Sequence, residues 1–405
     1  MTLGLLFLAG VINFFDRSSL SVANTVVRAE LHLSATQMGW LLSAFSFAYG
    51  LSQLPLIGLL DRLGTRSVLG AGLAVWSAAQ LLTGMVRSFP VFIAFRILLG
   101  VGEAPFYPAG VRSVREWFDE RTRGRATGFM SSSQTFGLAI APPLLTLLMI
   151  RVGWRAMFML LGAAGLLVAV LWVWLHRSRS ATKFAEEHAV PAGESLAHVL
   201  GLLLQQRTVW GMMLGFGGIN YTNWLYISWL PGYLQTERHL SLAKSGWLAA
   251  IPFLVGAAGM LSSGTSVDLW VRRGVRATTV HRVQLVVGMV LSAGASFFVS
   301  RSATTAEAVA GISCALFFIH FAGTSGWGYV QAVSPARYVA SLGALQNFAS
   351  FLVASIAPVA MGFIYDRTHS FTLGFAVCAA VTLLGALSYA TLAAPDGMRV
   401  DAGPR

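Results

Sequence analysis

The sequence predicts an all-α membrane protein with twelve transmembrane helices in two pseudo-symmetric six-helix bundles. Three observations carry that prediction. Hydrophobic residues make up 56% of the 405 residues and charged residues 11%, against roughly 45–50% and 25% in soluble domains, and mean hydropathy is +0.67. Apolar runs close to the twenty or so residues that cross a bilayer recur along the whole chain. A short motif that follows the second run returns after the eighth.

The runs fall at 2–25, 37–60, 67–86, 90–113, 125–149, 156–175, 208–231, 245–267, 281–300, 306–330, 341–364 and 371–393. The first, Met1 to Ala23, lacks the basic start of a signal peptide and is interrupted by Asp16 and Arg17. It reads as a membrane helix. Connections are short except from His176 to Arg207, which contains RSRSATKFAEEHAVPAGES, the most polar stretch in the chain. Residues 1–176 and 208–405 are therefore expected to form the two bundles. Residues 177–207 form a cytoplasmic linker with room for a short amphipathic piece. The repeat supports this division: GLLDRLGTR (Gly58 to Arg66) after the second run and GTSVDLWVRRG (Gly264 to Gly274) after the eighth. Parallel repeats of this kind place a transporter's substrate site near the midplane.

Lysine and arginine set the orientation. With both termini in the cytoplasm, 18 basic residues fall on the inside and 8 on the outside, and Arg17 and Arg96 complete the 28. The net charge of +12 is thus a matter of topology. The basic residues lie in short loops, with no contiguous face or aromatic-rich motif for nucleic acid. For RTRGR (Arg121 to Arg125) the same reading, with ionic latches to Asp61, Glu116, Asp119 or Glu120, is preferred to a nucleotide or lipid patch. Cys314 and Cys378 lie in apolar runs without metal-site spacing, which supports neither a disulfide framework nor a zinc site. No phosphate-binding, hydrolase or metalloprotease motif appears in the right context. No enzyme activity and no cofactor is expected, only a coupling proton.

Charge inside hydrocarbon costs about 3 kcal/mol per residue on insertion scales. The chain keeps two such pairs. Asp16 and Arg17 are neighbours near the middle of the first span, pointing about 100° apart. Arg96 and Glu103 lie seven residues apart in RILLGVGEAPFYP, nearly two turns, and so share a face. A structural ion pair is one reading. The other makes Glu103 a proton carrier, with Arg96 adjusting it, because burial favours the neutral carboxyl and a guanidinium favours the ionised one. A substrate anion competing for the guanidinium would then link its own binding to that of a proton. Pro105 and Pro108 remove backbone donors and predict a kink beside Glu103. Arg17 is the candidate for the substrate's carboxylate, since guanidinium binds carboxylate bidentately and stays charged. Spans of the C-terminal half hold no interior charge. They carry Asn220, Tyr221, Asn223, Trp224, Tyr226, His320, Thr324, Ser325, Gln346 and Asn347. This suggests recognition of neutral hydroxyls there, with Trp224 and Tyr226 able to stack on a sugar face or an aromatic ring. For His320, a neutral histidine bonded between helices is preferred to a second proton site.

Several motifs in order carry a resemblance: NFFDRSSLSVA (Asn13 to Ala23), DRLGTR (Asp61 to Arg66), Arg96 with Gly100 and Gly102, GEAPFYPA (Gly102 to Ala109), RGRATG (Arg123 to Gly128), GWR (Gly153 to Arg155) and WLPGYL (Trp229 to Leu234). The chain resembles the major facilitator superfamily over essentially its whole length. Within it the chain is similar to the anion:cation symporters, which include bacterial hexonate, hexuronate and aromatic-acid importers, sialin and the vesicular glutamate transporters. The resemblance implies the major facilitator fold and import of a small organic anion with protons by alternating access, by a functional monomer in the bacterial inner membrane. It implies that Arg17 holds the anion, that Tyr49, Gln134 and Asn347 line the cavity, and that Asp16 and Glu103 are the proton-linked carboxylates. Sugar acids (hexonate, hexuronate or aldarate) are the favoured cargo. Aromatic carboxylates, a proton-driven antiporter or exporter, and a non-transporting membrane sensor are the alternatives. There are departures. Ile57 replaces the glycine four residues before Asp61, Phe351 stands at the family's second polar position after Asn347, and GLAIAPP (Gly137 to Pro143) replaces the antiporter signature of the fifth helix. The last of these favours symport.

Overall fold

The computed structural model describes residues 1–177, 196–335, 338–394 and 398. Among the described residues the regular structure is helical throughout, in thirteen helices. α1 (Thr2–Val22) and α2 (Asn24–Glu30) form the first span, broken at Ala23. α3 (Ala35–Thr83) carries the second and third, α4 (Phe89–Glu103) and α5 (Phe106–Trp117) the fourth, and α6 (Glu120–Leu175) the fifth and sixth. After α7 (Leu196–Leu204) come α8 (Arg207–Thr236), α9 (Leu242–Arg272), α10 (Ala277–Val299), α11 (Thr305–Val333), α12 (Val339–Thr368) and α13 (Thr372–Thr391), one span each. Among the described residues, eight helical stretches are individually long and apolar enough to cross a membrane. Dividing α6 at its bend and adding the two arms of α3 and the Asn- and Tyr-bearing α8 gives the twelve expected spans. Within the expected linker, Leu196–Leu204 is helical and residues 178–195 lie outside the described residues.

Both long helices reverse at a glycine. Gly64 has φ 73° and Gly153 φ 80°, a region that a Cβ makes strained. Gly64 belongs to DRLGTR, and Gly274, which ends the second copy of that motif, has φ 86°. The repeat is therefore one of backbone as well as of sequence. Histidines take the same left-handed conformation in three other turns, at His32, His239 and His369.

Contacts divide the chain into two compact units. The first comprises Met1–His188, Tyr226–Ile251 and Pro358–His369, the second Ala189–Leu225, Pro252–Ala357 and Ser370–Arg405. In the first, α3 packs on α4 and α6, and α1 on α6. In the second, α10 packs on α11 and α13. Close approach fixes α4 on both sides. A Cβ at Gly100 would lie 2.4 Å from the Phe45 carbonyl oxygen, and one at Gly102 would lie 2.6 Å from the Trp76 nitrogen. The two glycines thus let α4 sink between the arms of α3 and carry Glu103 inward.

One end of the first unit is tied by a cap. The Asp366 carboxylate, in the last turn of α12, accepts from the backbone nitrogens of Ala35 (2.9 Å) and Thr36 (2.7 Å) and from the Thr36 hydroxyl (2.6 Å). It satisfies first-turn donors of α3 where the helix dipole favours negative charge. At the opposite end, His176 is fully buried and stacks on Trp172 with ring centroids 4.0 Å apart. Its Nε2 pairs with the Thr65 hydroxyl at 3.2 Å. That hydroxyl donates to Glu116, which also accepts from Arg112 at 3.3 Å. Burial, with the Arg66 charge alongside, pushes the His176 imidazole down to about 4. Glu116, expected as a latch for the arginines of 121–125, is engaged by Arg112 and Thr65. The side chains of Asp61 and Glu120 lie outside the described residues.

Candidate functional site

The charged residues of the first unit meet around the end of α4. The predicted kink is present: α4 ends at Glu103 and α5 begins at Phe106, leaving Ala104 and Pro105 between them. Pro108 has no N–H to offer the Ala104 carbonyl, and that carbonyl accepts instead from Gln53 Nε2 at 3.4 Å. Glu103 is fully buried, and its Oε2 accepts from Arg17 Nε at 2.7 Å. Arg17, in α1, is also nearly buried, and its guanidinium lies in an aromatic enclosure 4.8 Å from the Phe14 ring, 5.2 Å from Phe45 and 4.8 Å from Tyr49. Attraction between cation and ring faces strengthens when water is excluded.

The partner of Glu103 is therefore Arg17, from another helix. Arg96, two turns back on α4, donates from Nε to the Leu41 carbonyl at 3.1 Å and lies 5.2 Å from the opposite neighbour, Phe45. Its Nη1 is buried without a hydrogen-bond partner. Asp16 is fully buried with both carboxylate oxygens unpartnered, and Glu103 Oε1 is unpartnered as well. Four ionisable groups of balanced formal charge thus share one buried region. Charges left this incompletely bonded are costly, and they are poised to exchange partners.

Tyr49 is buried against Arg17 and stacks on Phe45 with centroids 5.9 Å apart. Gln134, on α6, is half-buried. Its neighbours seat that helix on α1, since a Cβ at Gly10 would meet Ser133 and one at Gly137 would meet Phe14. Two contributors escaped the sequence reading. Phe45, which touches both arginines, gives no sequence signal. Asn13 sits three and four residues before Asp16 and Arg17, is fully buried, and lies against the Glu103 carboxylate. Helical spacing alone could have found it. Tyr226, the last candidate of this unit, is 1% exposed.

The second unit gathers neutral groups. His320 Nε2 meets Asn223 Oδ1 at 3.1 Å, and the Thr324 hydroxyl donates to the His320 carbonyl at 3.0 Å. Trp224 packs edge-on against Phe351, with centroids 5.9 Å apart, so the residue that departs from the family pattern is apolar support for a candidate aromatic. Asn347 is half-buried, and its carbonyl accepts from Ser350, which in turn accepts from Asn220 Nδ2 at 2.7 Å. Ser325 is fully buried and donates to Gln284 Oε1, within a cluster that includes Ser263, Ser266 and His281.

Ionisable groups buried within apolar helices point to transport, and the comparisons with known proteins place the chain among transporters rather than enzymes. Residues 6–358 match the Major Facilitator Superfamily, and the chain belongs to that family. It is 48% identical over 394 residues to the probable L-galactonate transporter of Escherichia coli (strain K12), covering 95% of this chain and 87% of that protein. It is 32% identical over 406 residues to a probable galactarate/D-glucarate transporter of the same organism, covering 93% and 91%. Among solved structures it resembles a bacterial homolog of the human lysosomal transporter Spinster in an inward-facing, unoccupied conformation. There the TM-score is 0.76 at 18% identity, covering 97% of this chain and 95% of that one.

Proposed function

We propose that the protein imports a sugar acid, a small polyhydroxy carboxylate, in symport with protons across a bacterial cytoplasmic membrane. It works as a monomer with both termini in the cytoplasm. The observation that carries the reading is the buried 2.7 Å pair between Arg17 and Glu103. With Glu103 ionised, Arg17 is occupied. A proton delivered to Glu103 removes its charge and frees the guanidinium, which then takes the substrate's carboxylate bidentately. Proton and substrate binding each favour the other by the same factor. Alternating access then carries both across, and release of the anion allows Arg17 to draw Glu103 back to its ionised form as the proton leaves. Asp16, unpartnered one residue away, is the second carboxylate available for protons, and Arg96 adds positive charge on the same face.

The cargo follows from the relatives' substrates and from the residues. L-galactonate, galactarate and D-glucarate each join a carboxylate to a row of hydroxyls. Arg17 supplies the carboxylate site. Tyr49, Gln134, Asn223, Thr324 and Asn347 supply neutral groups suited to hydroxyls, and Trp224 and Tyr226 supply flat apolar surface. The excess of basic residues on the cytoplasmic side supports the orientation.

Uptake by proteoliposomes under an inward proton gradient tests the reading. Radiolabelled galactonate should accumulate above its external concentration, and a proton ionophore should abolish the accumulation. Glu103→Gln should abolish it as well while leaving counterflow exchange measurable. Wild-type accumulation by Glu103→Gln would sink the assigned role. Uptake of benzoate-type acids, with none of galactonate, would replace the cargo.

A further inference from the structure

His320 has no place in the coupling scheme above, yet it stands at the middle of α11, facing Asn223 at the middle of α8 and Gly256 at the middle of α9. We infer that His320 is a specificity-determining positioning residue: it fixes the Asn223 amide so that its nitrogen, not its oxygen, is presented to a substrate oxygen. The inference rests on the proposed sugar-acid cargo.

Three observations support it. First, Asn223 is half-buried rather than sealed in the core. A polar amide at midspan facing lipid would carry a high cost, whereas one bordering water does not. Asn223 Nδ2 is not among the buried unpartnered polar atoms, and the Asn223 oxygen is engaged by His320. Second, the pairing has a direction. The amide oxygen only accepts, so Nε2 is the protonated nitrogen of the imidazole in this contact. That consumes Oδ1 and leaves Nδ2, a donor, as the group available to a ligand. Third, the imidazole is held in place. A Cβ at Gly256 would fall against His320 Nδ1, so the ring is seated directly on the backbone of α9. The ring occupies the space that a glycine leaves and has no room to turn over.

A free asparagine can present either end of its amide by rotating through 180°, and would then accept from one hydroxyl as readily as it donates to another. Fixed by His320, Asn223 offers donors only. It therefore selects a hydroxyl or carboxylate oxygen at one position of the polyol chain. A site built to hydrogen-bond a substrate group rejects the analogue that lacks it more strongly than an apolar site discriminates by size.

Purified protein in nanodiscs, titrated with galactonate and its monodeoxy analogues, tests the inference. Wild type should prefer galactonate over one particular deoxy analogue. His320→Phe, similar in shape but unable to donate, should reduce that single preference about tenfold, by weakening galactonate and leaving the deoxy analogue unchanged. His320→Gln, which can donate to Asn223, should restore most of it. Asn223→Leu should reproduce the loss, and the double variant should add nothing further. An unchanged preference in folded His320→Phe overturns the inference. So does equal weakening of every ligand without rescue by glutamine, which would make His320 merely structural. If His320→Phe fails to fold, Asn223→Leu decides by the same readout, and an unchanged preference there also overturns the inference. A wild type that binds no sugar acid overturns the proposed cargo and this inference together, an outcome separate from the variant results.

Discussion

The two compact units bury polar groups by opposite rules. In the first, the buried groups are charged and thinly bonded: Asp16 has no partner, Arg96 leaves Nη1 unpaired, and Glu103 leaves Oε1 unpaired. In the second they are neutral, and a set of them is cross-bonded between helices, although Gln346 is buried with both amide atoms outside any hydrogen bond. Gln284 accepts from Ser263 at 3.0 Å and from Ser325, and donates to Ser266. The Thr222 and Thr382 hydroxyls meet at 2.6 Å, and Asn220 donates to Ser350. Groups that must exchange protons and ligands cannot be saturated in one state. Groups that hold helices together can be, and in hydrocarbon they need to be.

The largest effect is expected from removing one member of the Arg17–Glu103 pair. Glu103→Ala leaves a buried guanidinium uncompensated and should cost about 3–5 kcal/mol of stability. Replacing both, as Arg17→Met with Glu103→Leu, should recover most of that loss while abolishing substrate binding. Denaturation in detergent, followed by tryptophan fluorescence, reads the first effect, and ligand titration reads the second. A single variant as stable as wild type would mean that the pair is not buried in the way described.

His176 tests the other end of the same unit, where a neutral group is well bonded. Its imidazole is held at about 4 against an ordinary value of 6.5. The folded state thus binds the proton less readily than the unfolded one. The resulting stabilisation is complete above pH 6.5 and is lost as pH falls from 6.5 through 4, about 3 kcal/mol in full. His176→Gln keeps a polar group beside Thr65 but does not titrate. Its melting temperature should vary less with pH across that window than that of wild type, and parallel profiles would exclude the assignment. A smaller effect is expected from Asp366→Ala, which removes the cap on α3 and should cost about 1–2 kcal/mol in the same denaturation assay.

Much of this contrast was legible in the chain. Asp16, Arg17, Arg96 and Glu103 stand out because charge in a span is rare, and the absence of charge from later spans is equally plain. Pro105 and Pro108 announced the break after Glu103. The pairing was not legible. Spacing along α4 put Arg96 on the face of Glu103, but the partner came from α1, because Gly100 and Gly102 sink α4 between the arms of α3. A contact between helices far apart in sequence depends on packing that no periodicity encodes. Phe45 was silent for the same reason, since an aromatic in an apolar run looks like core. In the second unit, Thr324 and Ser325 look alike in sequence. The fold separates them, leaving Thr324 half-buried and committing Ser325 to the Gln284 cluster.

That cluster provides the mildest test and the one most specific to the comparison. Gln284 bonds to serines on α9 and α11 from its place on α10, so it joins three helices through one amide. Gln284→Leu preserves the volume and removes every bond. Each serine hydroxyl can then turn to a carbonyl of its own helix, as Ser313 and Ser262 already do. Hydrogen bonds between membrane helices average about 0.6 kcal/mol in mutant cycles, because the groups set free find other partners. The expected loss is therefore about 1 kcal/mol for the whole cluster, with affinity for galactonate unchanged. Under the rule proposed for the two units, the Gln284 network supports structure, the substrate-facing Asn223 and its His320 partner select the cargo, and the charged groups drive transport. If Gln284→Leu left stability intact but abolished binding, the Gln284 cluster would itself belong to the binding machinery, and its structural assignment would fail.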